Sequence, residues 1–255
     1  MKTITVGNQK GGCAKTSTVY ALSAALTKLY HKRVLMVDLD AQRNLSYTAG
    51  LDLLNTDNTL YNVFKGNTTL QACITSVGAS MFIISGGLEL SSADFEFTKT
   101  GREYMLREAL EVVQDDYDYC VIDTEPHLGV MTTNALTASD SVIIPIQADI
   151  YGLQGLEQLK GYIDTIKRYS NPSLEIAGIL ITRYDGRTTI SKTMSEQIQD
   201  KATEYGIPVF KTKIRQGVAV SESALLQEDI YTVNPRSKVA KDYTEFTEEY
   251  LKGDK

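Results

Sequence analysis

The chain has no apolar run approaching the roughly 20 residues a membrane-spanning helix needs. It has no CxxC pair. Its three cysteines, Cys13, Cys73 and Cys120, are odd in number and far apart, which argues against a disulfide framework or a zinc site and fits a reducing compartment. No cationic, apolar leader opens the sequence, because Thr3-Ile4-Thr5-Val6 already reads as a strand. A basic excess is missing too: 26 Lys and Arg stand against 32 Asp and Glu, a net charge of -6. A chain this acidic is not a general nucleic-acid coat, and any DNA binding must use a local basic face. Repeats, low-complexity segments and Pro/Gly-rich linkers are also lacking, so residues 1–255 are expected to form one domain, soluble and cytoplasmic.

What is present is a soluble composition, 42% hydrophobic and 23% charged over 255 residues, with a regular alternation of short apolar runs and longer helical stretches. Strands are expected at Thr3–Val6, Arg33–Val37, Met81–Ser85, Tyr119–Ile122, Ser141–Ile146, Glu175–Thr182 and Pro208–Lys213. Helical periodicity fills Thr16–Leu29, Tyr104–Val113, Leu153–Arg168 and Lys192–Tyr205. Runs such as Val34-Leu35-Met36-Val37 and Ile179-Leu180-Ile181 suit strands buried on both faces. The expected fold class is α/β, a doubly wound, mostly parallel sheet with helices on both faces. Leu51 to Thr100 is the least regular stretch and reads as an elaboration of the same domain.

The most specific signal is Gln9-Lys10-Gly11-Gly12-Cys13-Ala14-Lys15-Thr16-Ser17, between the first strand and the first helix. Loop and helix N–H groups there can surround an anion, and the glycines let backbone approach it with no Cβ in the way. The residues from Lys10 to Ser17 are therefore the candidate phosphate cradle. Lys15 can reach the β- and γ-phosphates, and the Thr16 hydroxyl can ligate Mg²⁺. Gln9 and Ala14 occupy the outer glycine positions of the usual G-x-x-x-x-G-K-[ST] pattern, leaving K-G-G-x-x-K-[ST] with a second lysine, Lys10. Two carboxylate-tipped strands follow. Val34-Leu35-Met36-Val37 leads into Asp38-Leu39-Asp40, and Tyr119-Cys120-Val121-Ile122 into Asp123. Acids at the C-terminal ends of buried strands lie over the phosphate crevice, where Asp123 can hold Mg²⁺. Position alone does not rank Asp38 against Asp40.

The loop resembles the deviant Walker A motif of the MinD/ParA group of P-loop ATPases. Asp38-Leu39-Asp40-Ala41-Gln42 resembles the V-D-x-D-P-Q segment of ParA proteins, with Ala41 in place of Pro. Asp123-Thr124-Glu125-Pro126-His127-Leu128-Gly129 resembles D-x-P-P-x-L-G, with Glu125 in place of the first Pro. His127 is read as a loop histidine rather than a base. Further similarity runs through Val142–Ala148, Gly152–Leu156 and Ser237–Tyr243, covering almost the full length. The resemblance implies ATP and Mg²⁺ as cofactors, an ATP-dependent homodimer, and catalysis by Lys10, Lys15 and Asp40. Lys10 would act on the partner's nucleotide as an arginine finger would, Asp40 would position the attacking water, and Asp38 would support the metal shell with Thr16 and Asp123.

The tail from Glu245 to Lys255 is acidic, which disfavours a MinD-like membrane helix. The cysteines cannot supply an iron–sulfur pair, and the tyrosines are not clustered at the end. The chain begins too close to its first strand for an N-terminal helix-turn-helix domain, so it resembles the short, Soj-like type. That type implies non-specific duplex DNA binding as an ATP dimer, nucleoid association in that state, and a ParB-like centromere-binding partner. Arg183 to Lys241 holds ten Lys and Arg against seven Asp and Glu, which makes Arg183, Arg187, Lys211, Lys213, Arg215, Arg236, Lys238 and Lys241 the candidate DNA contacts. Ala219 stands where relatives carry an arginine, and Thr182 where they often carry an adenine-contacting Asn. The alternatives are a cargo-positioning or conjugation-linked scaffold using the same switch, and a metabolic ligase or reductase of the group.

Overall fold

The computed structural model describes residues 1–54, 57–153 and 155–253; Gln154, within the Gly152–Leu156 similarity, lies outside them. The chain runs β1 (Lys2–Val6), α1 (Lys15–Tyr30), β2 (Val34–Asp38) and α2 (Asn44–Thr48). Short helices α3 (Leu60–Phe64) and α4 (Leu70–Cys73) follow, with strands β3 (Thr75–Ser76) and β4 (Met81–Ile84). After α5 (Ala93–Glu96) and α6 (Met105–Glu111) come β5 (Tyr119–Asp123), α7 (Val130–Ala138), β6 (Ser141–Gln147), α8 (Leu156–Tyr169), β7 (Glu175–Thr182) and α9 (Thr189–Glu204). Helices α10 (Val218–Leu226), α11 (Ile230–Val233) and α12 (Lys238–Gly253) complete the order.

The strands form one sheet in the order β3-β4-β2-β5-β1-β6-β7, with only β3 antiparallel. Apolar runs demand cover on both faces because successive side chains point opposite ways. Val34 and Met36 enter a core with Ile4, Val6, Val121, α1 and α12, whereas Leu35 and Val37 enter another with Cys120, Ile122, α6 and α7. A third cluster fills the space between β6, β7, α8 and α9. The connection from β1 runs to β2 on one side, and the connection from β5 passes β1 to β6 on the other, opening a crevice at the C-terminal ends of the central strands.

The expected strand at Pro208–Lys213 is a correction. This segment lies along β7 but makes only isolated bridges, Ile179 with Val209 and Tyr184 with Arg215. The reason lies in its donors. Pro208 has no N–H, and the Lys211 and Thr212 amides turn to the Glu249 carboxylate on α12 at 2.7 and 2.9 Å. Short elements such as β3, α3 and α4 give too little periodicity to be read from sequence. The four expected long helices all form, with ends shifted by up to three residues.

Helix α12 closes one face with Tyr243, Phe246 and Tyr250, none of them more than 3% exposed. Phe246 meets Phe210 edge-on at 5.0 Å between ring centres, tying the broken edge segment to the helix. Replacing Phe246 with Ala should lower stability by about 3–5 kcal/mol, the usual cost of emptying an aromatic site. Urea unfolding checks this, and a loss below about 1 kcal/mol would contradict the packing role.

Candidate nucleotide site

The loop after β1 enters α1 through two left-handed residues, Gly12 (φ 76°) and Ala14 (φ 69°). Glycine takes that conformation freely; Ala14 holds it against a cost of about 1 kcal/mol. A Cβ placed on Gly12 would meet nothing within 4 Å, so open space lies in front of the loop. The carbonyls are held by β7 and its successor: Thr182 Oγ1 donates to the Cys13 carbonyl at 2.9 Å, and an Arg183 guanidinium nitrogen to that of Gly12 at 3.4 Å. Lys15 is buried and its Nζ rests on the Lys10 carbonyl at 3.1 Å.

At the head of the sheet Asp38 and Asp123 face each other in register across β2 and β5, both fully buried. Thr16 Oγ1 donates to Asp123 Oδ2 at 2.6 Å, while Asp123 Oδ1 is buried with no hydrogen-bond partner among the described residues. Burial and the neighbouring Asp38 charge hold the Asp123 carboxyl well above the usual carboxylate range, against the opposing pull of Thr16 and Lys15. Asp38 is pushed up to about 6, mainly by burial. Its Oδ2 accepts from the Ser46 N–H and hydroxyl at 2.8 and 2.7 Å, and its Oδ1 from the Asp40 N–H at 3.2 Å. Asp38 thus anchors α2 through protein donors, one strand away from Asp123.

The site fits a magnesium-bearing nucleotide. An orphan carboxylate oxygen, a hydroxyl beside it and a cradle free of Cβ atoms form the donor set Mg²⁺ uses together with phosphate oxygens and water. Among the described residues no group of three or more His, Cys, Asp or Glu could cage a metal without such help.

A cleft of about 900 Å³ runs over the loop, lined at one end by Asp40 and Pro126 and at the other by Arg183 and residues 214–218. Asp40 reaches it from β2, with Oδ1 accepting the Gln42 N–H at 2.9 Å. Lys10 does not line the cleft: its Nζ lies 2.7 and 2.8 Å from the two oxygens of Asp149. Beyond Asp123, Glu125 is half-buried and pushed up to about 7, chiefly by burial and with help from Asp40 and Asp94, while His127 opposes the shift. His127 Nε2 meets Asp94 Oδ2 at 3.1 Å, and the Val130 N–H donates to Asp94 Oδ1 at 2.6 Å. A Cβ on Gly129 would stand 2.6 Å from Asp94, so only glycine lets α5 pin this loop.

The basic candidates divide. Arg187, Lys211, Lys213, Arg215 and Lys238 line a second cleft of about 950 Å³, together with Asp185, Asp242 and Glu245. Two of these arginines are already engaged, Arg187 by Asp185 and Arg215 by Asp242 at 2.7 Å through two nitrogens. Lys241 pairs with Glu245 at 3.7 Å along α12, and Arg236 is exposed ahead of that helix. Arg183 stands apart, at the nucleotide cleft. Sequence reasoning missed Asp149, Ser46 and Asp94; each is brought to the site by tertiary packing, and no local pattern marks it.

A parallel sheet with a lysine-bearing phosphate loop and a carboxylate waiting at the neighbouring strand end defines a P-loop nucleotide hydrolase. The AAA domain family matches residues 1–176. Over 250 residues the chain is 35% identical to the sporulation initiation inhibitor protein Soj of Bacillus subtilis, covering 97% of each chain. It is 33% identical to the chromosome partitioning protein ParA of Myxococcus xanthus, over 98% of this chain and 88% of that one. The chain belongs to the ParA-type, Soj-like family of P-loop ATPases. It also superposes on a Mycobacterium smegmatis cobyrinic acid a,c-diamide synthase crystallised with an ATP analogue and magnesium, with a TM-score of 0.86, 33% identity and coverage of 99% and 95%.

The buried carboxylate pair makes a prediction. A carboxyl with a raised folded-state pKa carries no penalty below its unfolded value near 3.8 and its full penalty above the folded one. Nucleotide-free stability should therefore gain from Asp123→Asn, and the gain should grow as pH rises above about 4, read from thermal midpoints between about pH 4 and 8. A gain independent of pH would contradict the electrostatic account.

Proposed function

We propose that the chain is an ATP-dependent dimerising switch for plasmid or chromosome partition. In this reading it binds duplex DNA without sequence preference as an ATP dimer and hydrolyses ATP weakly until a centromere-binding partner stimulates it. The observation that carries the nucleotide part is the unpartnered Oδ1 of Asp123 beside the Thr16 hydroxyl, at the mouth of an open phosphate loop.

Bound Mg²⁺ would neutralise charge on the β- and γ-phosphates there. Loop amides from Gly11 to Ser17 would cradle the phosphates, and Lys15 would turn from the Lys10 carbonyl onto their oxygens. Asp40 would accept a hydrogen bond from the attacking water and aim it at the γ-phosphorus. Asp38 would serve from behind, fixing the turn that carries Asp40. Lys10 has no task in its own cleft, which supports its use on a second chain's nucleotide. The Asp149 contact would then be given up on pairing.

The DNA reading draws on the second cleft, where Lys211, Lys213 and Lys238 have no carboxylate ion-pair partner among the described residues. One such patch on an acidic protein binds duplex weakly, while a dimer doubles the phosphate contacts. Similarity to a protein named as a diamide synthase favours a second reading, ATP-driven chemistry on a small molecule. Partition requires that DNA bind in one nucleotide state only, whereas a ligase turns over without regard to DNA.

Lys15→Ala should weaken ATP binding by about 100-fold or more, since it removes the main charge-assisted contact to the phosphates. Titration with a fluorescent ATP analogue checks this, and unchanged affinity would remove the phosphate-loop assignment. Asp40→Ala should keep ATP and accumulate as a dimer on size-exclusion chromatography. The same dimer should bind random duplex at low salt with ATP but not ADP, falling steeply as salt rises. Equal binding in both nucleotide states would break the switch. No binding by a trapped dimer would favour the scaffold or ligase reading.

A further inference from the structure

Charge and a place after the Thr182 strand make Arg183 a DNA candidate, yet its position answers to the nucleotide cleft. It follows β7 directly and is held in the left-handed region at φ 50°, a conformation that L side chains other than Asn and Asp rarely take. Outliers of this kind persist where the surroundings specify them. Here two successive residues tie the end of β7 to the phosphate loop, Thr182 to the Cys13 carbonyl and Arg183 to that of Gly12.

Sheet order places the two ends of the cleft. β2 and β7 lie two strands to either side of β1, so Asp40 and Arg183 flank the phosphate loop from opposite sides. The hydrolytic end is fixed by Asp40, Thr16 and Asp123. A nucleotide whose γ-phosphate lies there extends its ribose and base toward Arg183 and the facing wall of Ile214, Gln216 and Gly217. Peptide geometry points the Gly12 carbonyl opposite to the Cys13 amide, so a guanidinium resting on that carbonyl sits outside the phosphate cradle. Thr182 cannot read the base, because it is fully buried and its hydroxyl is already donated. Unlike Arg187 and Arg215, Arg183 has no carboxylate partner among the described residues, so its planar face is free to lie on a π system.

We propose that Arg183 is a specificity-determining residue of the nucleotide site, a planar lid that stacks on the base, and that it is not a DNA contact. The proposal rests on the nucleotide reading above. Its test separates base from phosphate by comparing ATP with inorganic tripolyphosphate, both with Mg²⁺, in calorimetric titrations of the full chain. Arg183→Ala should weaken ATP about tenfold and leave tripolyphosphate unchanged. Arg183→Lys keeps the charge and loses the plane, and should recover only a minor part of the loss. Equal weakening of both ligands would make Arg183 a phosphate contact and overturn the proposal. So would unchanged ATP affinity, or full recovery with Lys. If the wild-type chain bound neither ligand, the nucleotide reading itself would fall, a result distinct from any of these.

Discussion

Asp38 and Asp123 stand opposite one another across two hydrogen-bonded strands, both closed off from water. Like charges in that setting oppose each other's ionisation, and burial opposes both. The surrounding residues answer this constraint unequally. Ser46 and the Asp40 amide donate to both oxygens of Asp38, which ties α2 and the turn before it to β2. Asp123 receives one hydroxyl and the field of Lys15, and keeps one oxygen empty. The resting chain therefore holds a deficit of positive charge where a magnesium-bearing substrate would bring it. Ligand affinity and the strain of the empty state are two aspects of one arrangement.

The parallel sheet was legible because its strands are continuously apolar, and a run such as Val34–Val37 has no other stable use in a soluble chain. The phosphate loop was legible because its residues are contiguous between β1 and α1. What escaped was whatever depends on two distant segments meeting. Asp149 reaches Lys10 across 139 positions, and Asp94 reaches the loop after β5 from a four-residue helix. Neither leaves a periodic trace. Charge counting also failed to sort the arginines between Arg183 and Arg215, since sequence does not show which are neutralised by Asp185 or Asp242.

Departures from the family pattern fall beside the chemistry. Glu125, in place of a proline, brings a half-buried carboxyl near Asp40 and Asp94. Ala14, where the usual P-loop pattern has glycine, keeps a left-handed turn beside carbonyls that Thr182 and Arg183 hold. Both raise the energy of the resting site slightly and leave the fold unchanged, as expected where a scaffold's stability tolerates local strain.

The margin of the sheet beyond β7 has a further consequence. A bare parallel edge offers a row of amides and carbonyls to any passing strand. Here residues 208–214 occupy the edge in fragments, and Glu249 takes two of their amides into a carboxylate. The opposite margin ends in β3, a two-residue antiparallel stub. Neither border presents a long row of free amides and carbonyls among the described residues. Edge-to-edge pairing between copies of the chain is disfavoured on both sides, which leaves side-chain surfaces as the ground for any contact between them.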